Sequence, residues 1–213
     1  MYEPPFHRED DLARKHALIR ARPLGLLISH GSQGLLANAI PFLIDAGASK
    51  LGTLRAHMAR ANGQWRDLME ALDTLVVFQG PERYVSPSWY ATKRETGKVV
   101  PTWNYVMVQA RGVARVIADD DWLARQIEAL TAAREAGRDQ PWSVGDAPAD
   151  FIAMQRRAIM GVEIEIADIR GKWKASQNRS TADRAGVVAG LEALSGDEGA
   201  QEMAAIVREA KRE

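Results

Sequence analysis

Met107-Val108-Gln109-Ala110-Arg111-Gly112-Val113-Ala114-Arg115-Val116-Ile117 is the stretch that decides the fold. Val108, Ala110, Gly112, Ala114 and Val116 recur at every second position, with Gln109, Arg111 and Arg115 between them. That is the period of a strand with one apolar and one polar face. The apolar face is built largely from alanine and glycine, so another layer can approach it closely, as the inside of a small barrel demands.

On the C-terminal side, Trp122, Leu123, Ile127 and Leu130 predict a helix, and residues 149–158 a shorter one behind Pro148. Val162, Ile164 and Ile166 alternate with Glu163 and Glu165, which predicts the last strand. Residues 182–194 return to helical spacing, and Gly196 separates them from a final helix with Met203, Ile206, Val207 and Ala210 on one face. On the N-terminal side, residues 74–78 read as a buried strand ending at Gly80-Pro81. Before it, Asn62 is placed to cap a helix carrying Trp65, Leu68, Met69 and Leu72. Residues 51–57 read as a strand, and residues 24–29 and 35–44 as the arms of a hairpin turning at His30-Gly31-Ser32-Gln33-Gly34. Pro41 lacks a ladder donor and belongs at an edge or a bulge. Residues 9–20 form a helix that Pro23 stops. Strands, helix, strands and helices in that order predict an antiparallel, mainly β sheet with helices beside it, closed as a small barrel.

The chain has 213 residues, 46% of them hydrophobic, enough for one cored domain, drawn over residues 1–195 with a C-terminal helix over 196–213. Lysine plus arginine, 28, equals aspartate plus glutamate, 28, so no net basic field pulls the chain onto DNA or an anionic membrane. There is no cysteine, which excludes disulfides and thiolate chemistry and is compatible with a cytoplasmic address. The acidic, proline-containing start is not a secretory signal, and no apolar run reaches the ~20 residues of a membrane span. No dinucleotide, P-loop, zincin or hydrolase-elbow motif is present, and the four histidines lack metal-ligand spacing, so no protein metal site is expected. No residue pattern singles out a catalytic group.

Three clusters could carry chemistry. Phe78, Tyr84, Trp89, Tyr90, Trp103 and Tyr105 place six of the fourteen aromatics within 28 residues, interleaved with Ser86, Ser88, Lys93, Arg94, Lys98, Thr102 and Asn104. Apolar planes edged with donors suit a flat, polar-rimmed ligand such as a flavin; they suit a subunit interface equally well. The second cluster is His57-Met58-Ala59-Arg60-Ala61-Asn62, at a strand end before a helix. Amides there and Arg60 could take a phosphate; alternatively Arg60 pairs with a surface carboxylate and Asn62 only caps. The third is Gly171-Lys172-Trp173-Lys174-Ala175-Ser176-Gln177-Asn178-Arg179, either an anion site tethered by Trp173 or a solvated basic turn after the last strand.

With Met1-Tyr2, Pro5-Phe6, Pro41-Phe42, Phe78-Gln79-Gly80-Pro81, Tyr84 to Tyr90 and Val100-Pro101-Thr102-Trp103-Asn104-Tyr105, these clusters resemble the PaiB-type proteins, a bacterial family described as FMN-binding regulators. The similarity runs from Met1 to Leu191. It departs at Asn38-Ala39-Ile40-Pro41, where the family pattern leads one to expect a histidine. The resemblance implies an antiparallel, Greek-key split β-barrel, a homodimer, and FMN in the groove between subunits. It also implies a cofactor-binding set of His57, Arg60, Asn62, Ser86, Ser88, Trp89, Thr102, Trp103, Lys172, Lys174, Gln177 and Asn178. The family role is negative transcriptional regulation through or by sensing flavin. Two other readings stay open: an FMN-dependent oxidoreductase, or a direct DNA-binding repressor drawing on Arg14, Lys15, Arg20 and Arg22. A barrel without cofactor, acting through protein partners, is a fourth.

Overall fold

The computed structural model describes residues 1–31, 34–70 and 73–210. In chain order the elements are β1 (Arg8–Glu9), α1 (Leu12–Ala21), β2 (Leu24–Gly31), β3 (Gly34–Asp45), β4 (Thr53–Ala59), α2 (Gln64–Leu68), β5 (Asp73–Val85), α3 (Ala91–Thr96), β6 (Thr102–Ile117), α4 (Asp120–Glu135), α5 (Ala149–Arg157), β7 (Ile159–Glu165), β8 (Asp168–Lys174), α6 (Thr181–Glu192) and α7 (Glu198–Glu209). The sheet order is β1-β8-β6-β5-β2-β3-β4-β7, and β7 also pairs with β6. The chain divides into two compact units: residues 12–78 with 109–169, and residues 1–11 with 79–108 and 170–213.

The first unit is a closed barrel of six strand segments. β2 pairs antiparallel with β3 and β5, β3 with β4, β4 with β7, and β7 with β6. β5 lies beside β2 while β2, β3 and β4 run consecutively, which is the Greek-key order. Leu27, Phe42, Leu54, Ala56, Val76, Phe78, Ala110, Val162 and Ile164 are buried in this unit, and Phe42 meets Phe78 edge to face at 5.8 Å. Pro41 is the last β3 residue paired to β2, opposite Leu24, and Phe42 is the first paired to β4. The proline therefore stands where the strand changes partner and no ladder donor is missed. Gly112 fulfils the expectation of a close approach, since a Cβ there would lie 2.1 Å from the Glu165 carbonyl oxygen. Ala167 N–H donates to Arg111 O at 2.8 Å beside it.

The second unit holds β1, most of β8, the 79–85 part of β5 and the 102–108 part of β6, with α3, α6 and α7. β1 pairs antiparallel with β8, Arg8 opposite Lys172. Val187, Leu191, Met203 and Val207 bury the facing sides of α6 and α7. Gly186 and Gly190 leave a slot on α6 for Trp89: a Cβ on Gly190 would sit 2.2 Å from its indole.

Four expectations of extent are corrected. β5 does not end at Gly80-Pro81 but runs on to Val85, and β6 begins at Thr102, five residues before Met107. Gly171 to Lys174 are not a turn after the last strand; they are strand β8 itself. α2 is only five residues long and is capped at Gly63, one residue past Asn62. Of the expected turn and helix, Ser32, Gln33 and Leu72 lie outside the described residues.

Candidate functional site

The twelve residues singled out in the sequence fall into both units, and each unit carries its own group. In the second unit, β8 and the turn after it are fastened by their own polar side chains. Gln177 accepts from the Ala175 N–H at 2.8 Å and stands 3.0 Å from His7 Nδ1. Ser176 adopts φ +59° and is held by Asn104, whose Nδ2 donates to its Oγ at 2.9 Å, both residues being buried. Trp173 is buried, as a tether should be, while Asn178 is exposed.

These fastenings fix two ammonium groups. Lys172 Nζ donates to the Tyr2 carbonyl at 3.0 Å and lies 5.1 Å from the Tyr105 ring centroid and 5.4 Å from that of Tyr2. Lys174 Nζ donates to Thr102 Oγ1 at 2.6 Å. Burial lowers the Lys174 pKa against an opposing pull from Tyr105, and the Lys172 and Arg179 charges lower it further. An anion or a strong acceptor would relieve that repulsion.

Beside them is an open cleft of about 520 Å³ whose walls include Tyr2, Trp103, Tyr105, Met107 and Lys172. Trp103 is 52% exposed and meets Tyr84 in a T-shaped arrangement, at 6.0 Å between centroids. A half-bare indole beside a tyrosine, a thioether and an ammonium matches the chemistry of a flavin ring, apolar on its faces and rich in acceptors at its rim. The other residues of the aromatic run are placed differently. Ser86 Oγ accepts from the Ser88 N–H and Ser88 Oγ from Lys93 Nζ, so both hydroxyls organise the turn at Pro87. Trp89 fills the slot on α6 described above.

In the barrel unit, Arg60 Nε donates to Arg157 O at 3.1 Å, and its backbone N–H to Ala158 O at 2.8 Å. The expected carboxylate partner is replaced by backbone carbonyls. Asn62 Oδ1 accepts from the Gln64 N–H at 3.1 Å, so it caps in function although it is not the terminal residue. Arg60, Arg156 and Arg157 line one pocket of about 330 Å³ with Asp120 as the carboxylate. Arg156 binds Asp120 at 2.8 Å, yet its Nε is buried without a partner. Three guanidinium groups and an orphaned donor fit a phosphate. His57 also has a buried Nδ1 without a partner, and burial lowers its pKa.

Taken separately, the aromatic cleft with its ammonium groups has the chemistry of a flavin-ring site, and the arginine pocket that of a phosphate site. A family model described as "Putative FMN-binding domain" matches residues 1–168. The chain belongs to this family. Its cofactor is FMN. An uncharacterized protein of Emericella nidulans is 38% identical over 98% of this chain and 97% of its own length. The protease synthase and sporulation protein PAI 2 of Bacillus subtilis, the PaiB protein, is 34% identical over 65% of this chain and 64% of its own. Among solved structures, the flavocytochrome Anf3 of Azotobacter vinelandii aligns with a TM-score of 0.60 at 15% identity, covering 81% of this chain and 72% of that one. The FAD and heme binding protein of Mycobacterium smegmatis aligns at 0.59 and 18% identity, covering 79% and 73%. At such identities these two show the fold, the split barrel.

Sequence reading missed Tyr2 and Met107 in the cleft, and Arg156 and Arg157 in the pocket. Tyr105 stood within the aromatic run without being chosen. The arginine pair carried no local signal, because it meets Arg60 across 97 residues of chain. Gln64 was also missed. It is buried, donates from Nε2 to Leu27 O and Ser29 Oγ at 3.1 and 3.0 Å, and accepts from Asn38 Nδ2 at 2.9 Å. Asn38, in the stretch that departs from the family pattern, thus anchors α2 to the hairpin.

Proposed function

We propose that this chain is a homodimeric flavoprotein of the PaiB type that represses transcription indirectly, through the state of its bound FMN and without reading DNA. The observation that carries the reading is the cleft of Trp103, Tyr105 and Lys172. Bound FMN supplies the electron-transfer chemistry. Trp103 and Tyr105 offer it a flat apolar wall. Lys172 and Lys174 donate from Nζ to Tyr2 O and Thr102 Oγ1, so two ammonium groups are held in place beside that wall. Such charge favours whichever form of the ligand is the more negative. The barrel unit has its own phosphate-binding chemistry in Arg60, Arg156 and Arg157, at a strand end whose following turn is organised by Asn62.

Direct DNA recognition finds little support in a balanced charge of 28 against 28. The test is made on the purified protein. A flavin absorption band should be present, bleach on reduction and weaken in Trp103→Ala. Promoter fragments at ~150 mM salt should give no sequence-specific complex, whereas dedicated repressors bind at about 10 nM. A colourless protein that forms such a complex would overturn the proposal in favour of the direct repressor.

A further inference from the structure

The barrel unit has a second, larger cavity, of about 760 Å³, that the flavin reading does not use. One wall is a single face of α4, because Trp122, Arg125, Gln126 and Ala129 stand at i, i+3, i+4 and i+7. Leu123, on the adjoining side of the helix, is buried, so α4 is anchored while this face borders the cavity. The indole is fixed in place, since Trp122 lies against Gly161, where a Cβ would come within 2.4 Å of its ring. Leu43, Ile44 and Ala46 extend the apolar part of the wall.

The charges do not balance. Arg55 is paired with Asp45 at 2.8 Å and with Glu163 at 2.9 Å, and Arg115 shares the same Glu163 at 2.5 Å. Two carboxylates thus serve two guanidinium groups, and Arg125, exposed at the rim, is a third that makes no hydrogen bond or ion pair among the described residues. Next to it on the helix, Gln126 is 4% exposed and its Nε2 is buried without an acceptor. An unpaired guanidinium at the rim, an unsatisfied buried amide donor and a flat apolar wall describe one kind of ligand. We propose that this cavity binds a monocarboxylate with a flat apolar body, its carboxylate on Arg125 and Gln126 and its body on Trp122. A site of this kind would give the protein an organic-acid effector independent of its flavin.

The test uses 2-naphthoate as the probe and its neutral amide, 2-naphthamide, as the control, titrated into the protein as purified and followed by calorimetry and by the indole N–H signals. Saturable naphthoate binding is expected, with the Trp122 signal, assigned by Trp122→Phe, among those that move. The amide should bind at least about tenfold more weakly, the loss of one charge-assisted contact. Arg125→Gln should lose naphthoate affinity by the same factor while the flavin spectrum and thermal stability stay as in the parent, since that side chain has no hydrogen bond or ion pair among the described residues. Equal binding of acid and amide, an unaffected Arg125→Gln, or no saturable binding overturns the proposal. None of these outcomes alters whether FMN is bound.

Discussion

At the scale of single residues, the strand end His57 to Asn62 shows how position decides role. Arg60 is drawn onto the carbonyls of residues 157 and 159, which orients its guanidinium beside Arg156. His57 is half-buried with an orphaned Nδ1, and burial lowers its pKa from the ordinary 6.5. The unfolded chain therefore takes up a proton near that pH while the folded one resists it, so stability must fall as the pH drops below about 6.5. His7 adds in the same sense: burial lowers it, Gln177 opposes, and Lys172 and Lys174 lower it further. Urea unfolding at pH 7.5 and 5.5 should show a loss of stability that is smaller in His57→Gln and smaller again in His7→Gln/His57→Gln. An identical loss in all three proteins would remove the histidines from the account. The motif residues were legible because they are contiguous in sequence. Arg156 and Arg157 were not, since only tertiary pairing brings them to Arg60.

At the scale of elements, β6 carries most of the instruction for the barrel. Its small apolar face was legible in sequence, and Gly112 is where it matters, with the Glu165 carbonyl passing so close that no Cβ fits. Gly112→Val should destabilise the protein by about 1–3 kcal/mol, read as a lower urea midpoint. An unchanged midpoint would mean that the strands have room there after all. Strand ends were less legible: Gly80-Pro81 signals a turn locally, yet β5 continues through it, because partner strands override turn propensity. The helix marked by Trp122, Leu123, Ile127 and Leu130 is α4, but Gln126, polar and still buried, gave no sign of its burial. Gln64 hid in the same way.

At the scale of the whole molecule, the β2–β3 hairpin leaves an apolar face on the surface of the barrel unit. Leu24 and Leu26 on β2 and Leu35 on β3 are exposed, and the Leu26–Ala39 and Ile28–Ala37 pairs lie between them. A contiguous face of this kind is what a homodimer would cover. Sedimentation of the parent should report a dimer, and Leu26→Asp, with a charge in the middle of that face, a folded monomer. A monomeric parent would refute the dimer. Among the described residues no helix is long and apolar enough to cross a membrane. The central claim, that Arg60 and its arginine neighbours hold the phosphate of FMN, is tested most directly by titrating flavin-free protein with FMN and with riboflavin, in the parent and in Arg60→Ala, following flavin fluorescence. FMN should bind more tightly than riboflavin in the parent. Arg60→Ala should cost FMN about 1.5–3 kcal/mol, the size of a hydrogen bond to a charged group, and leave riboflavin unchanged. Equal affinities in the parent, or an equal loss for both flavins in the variant, would contradict it.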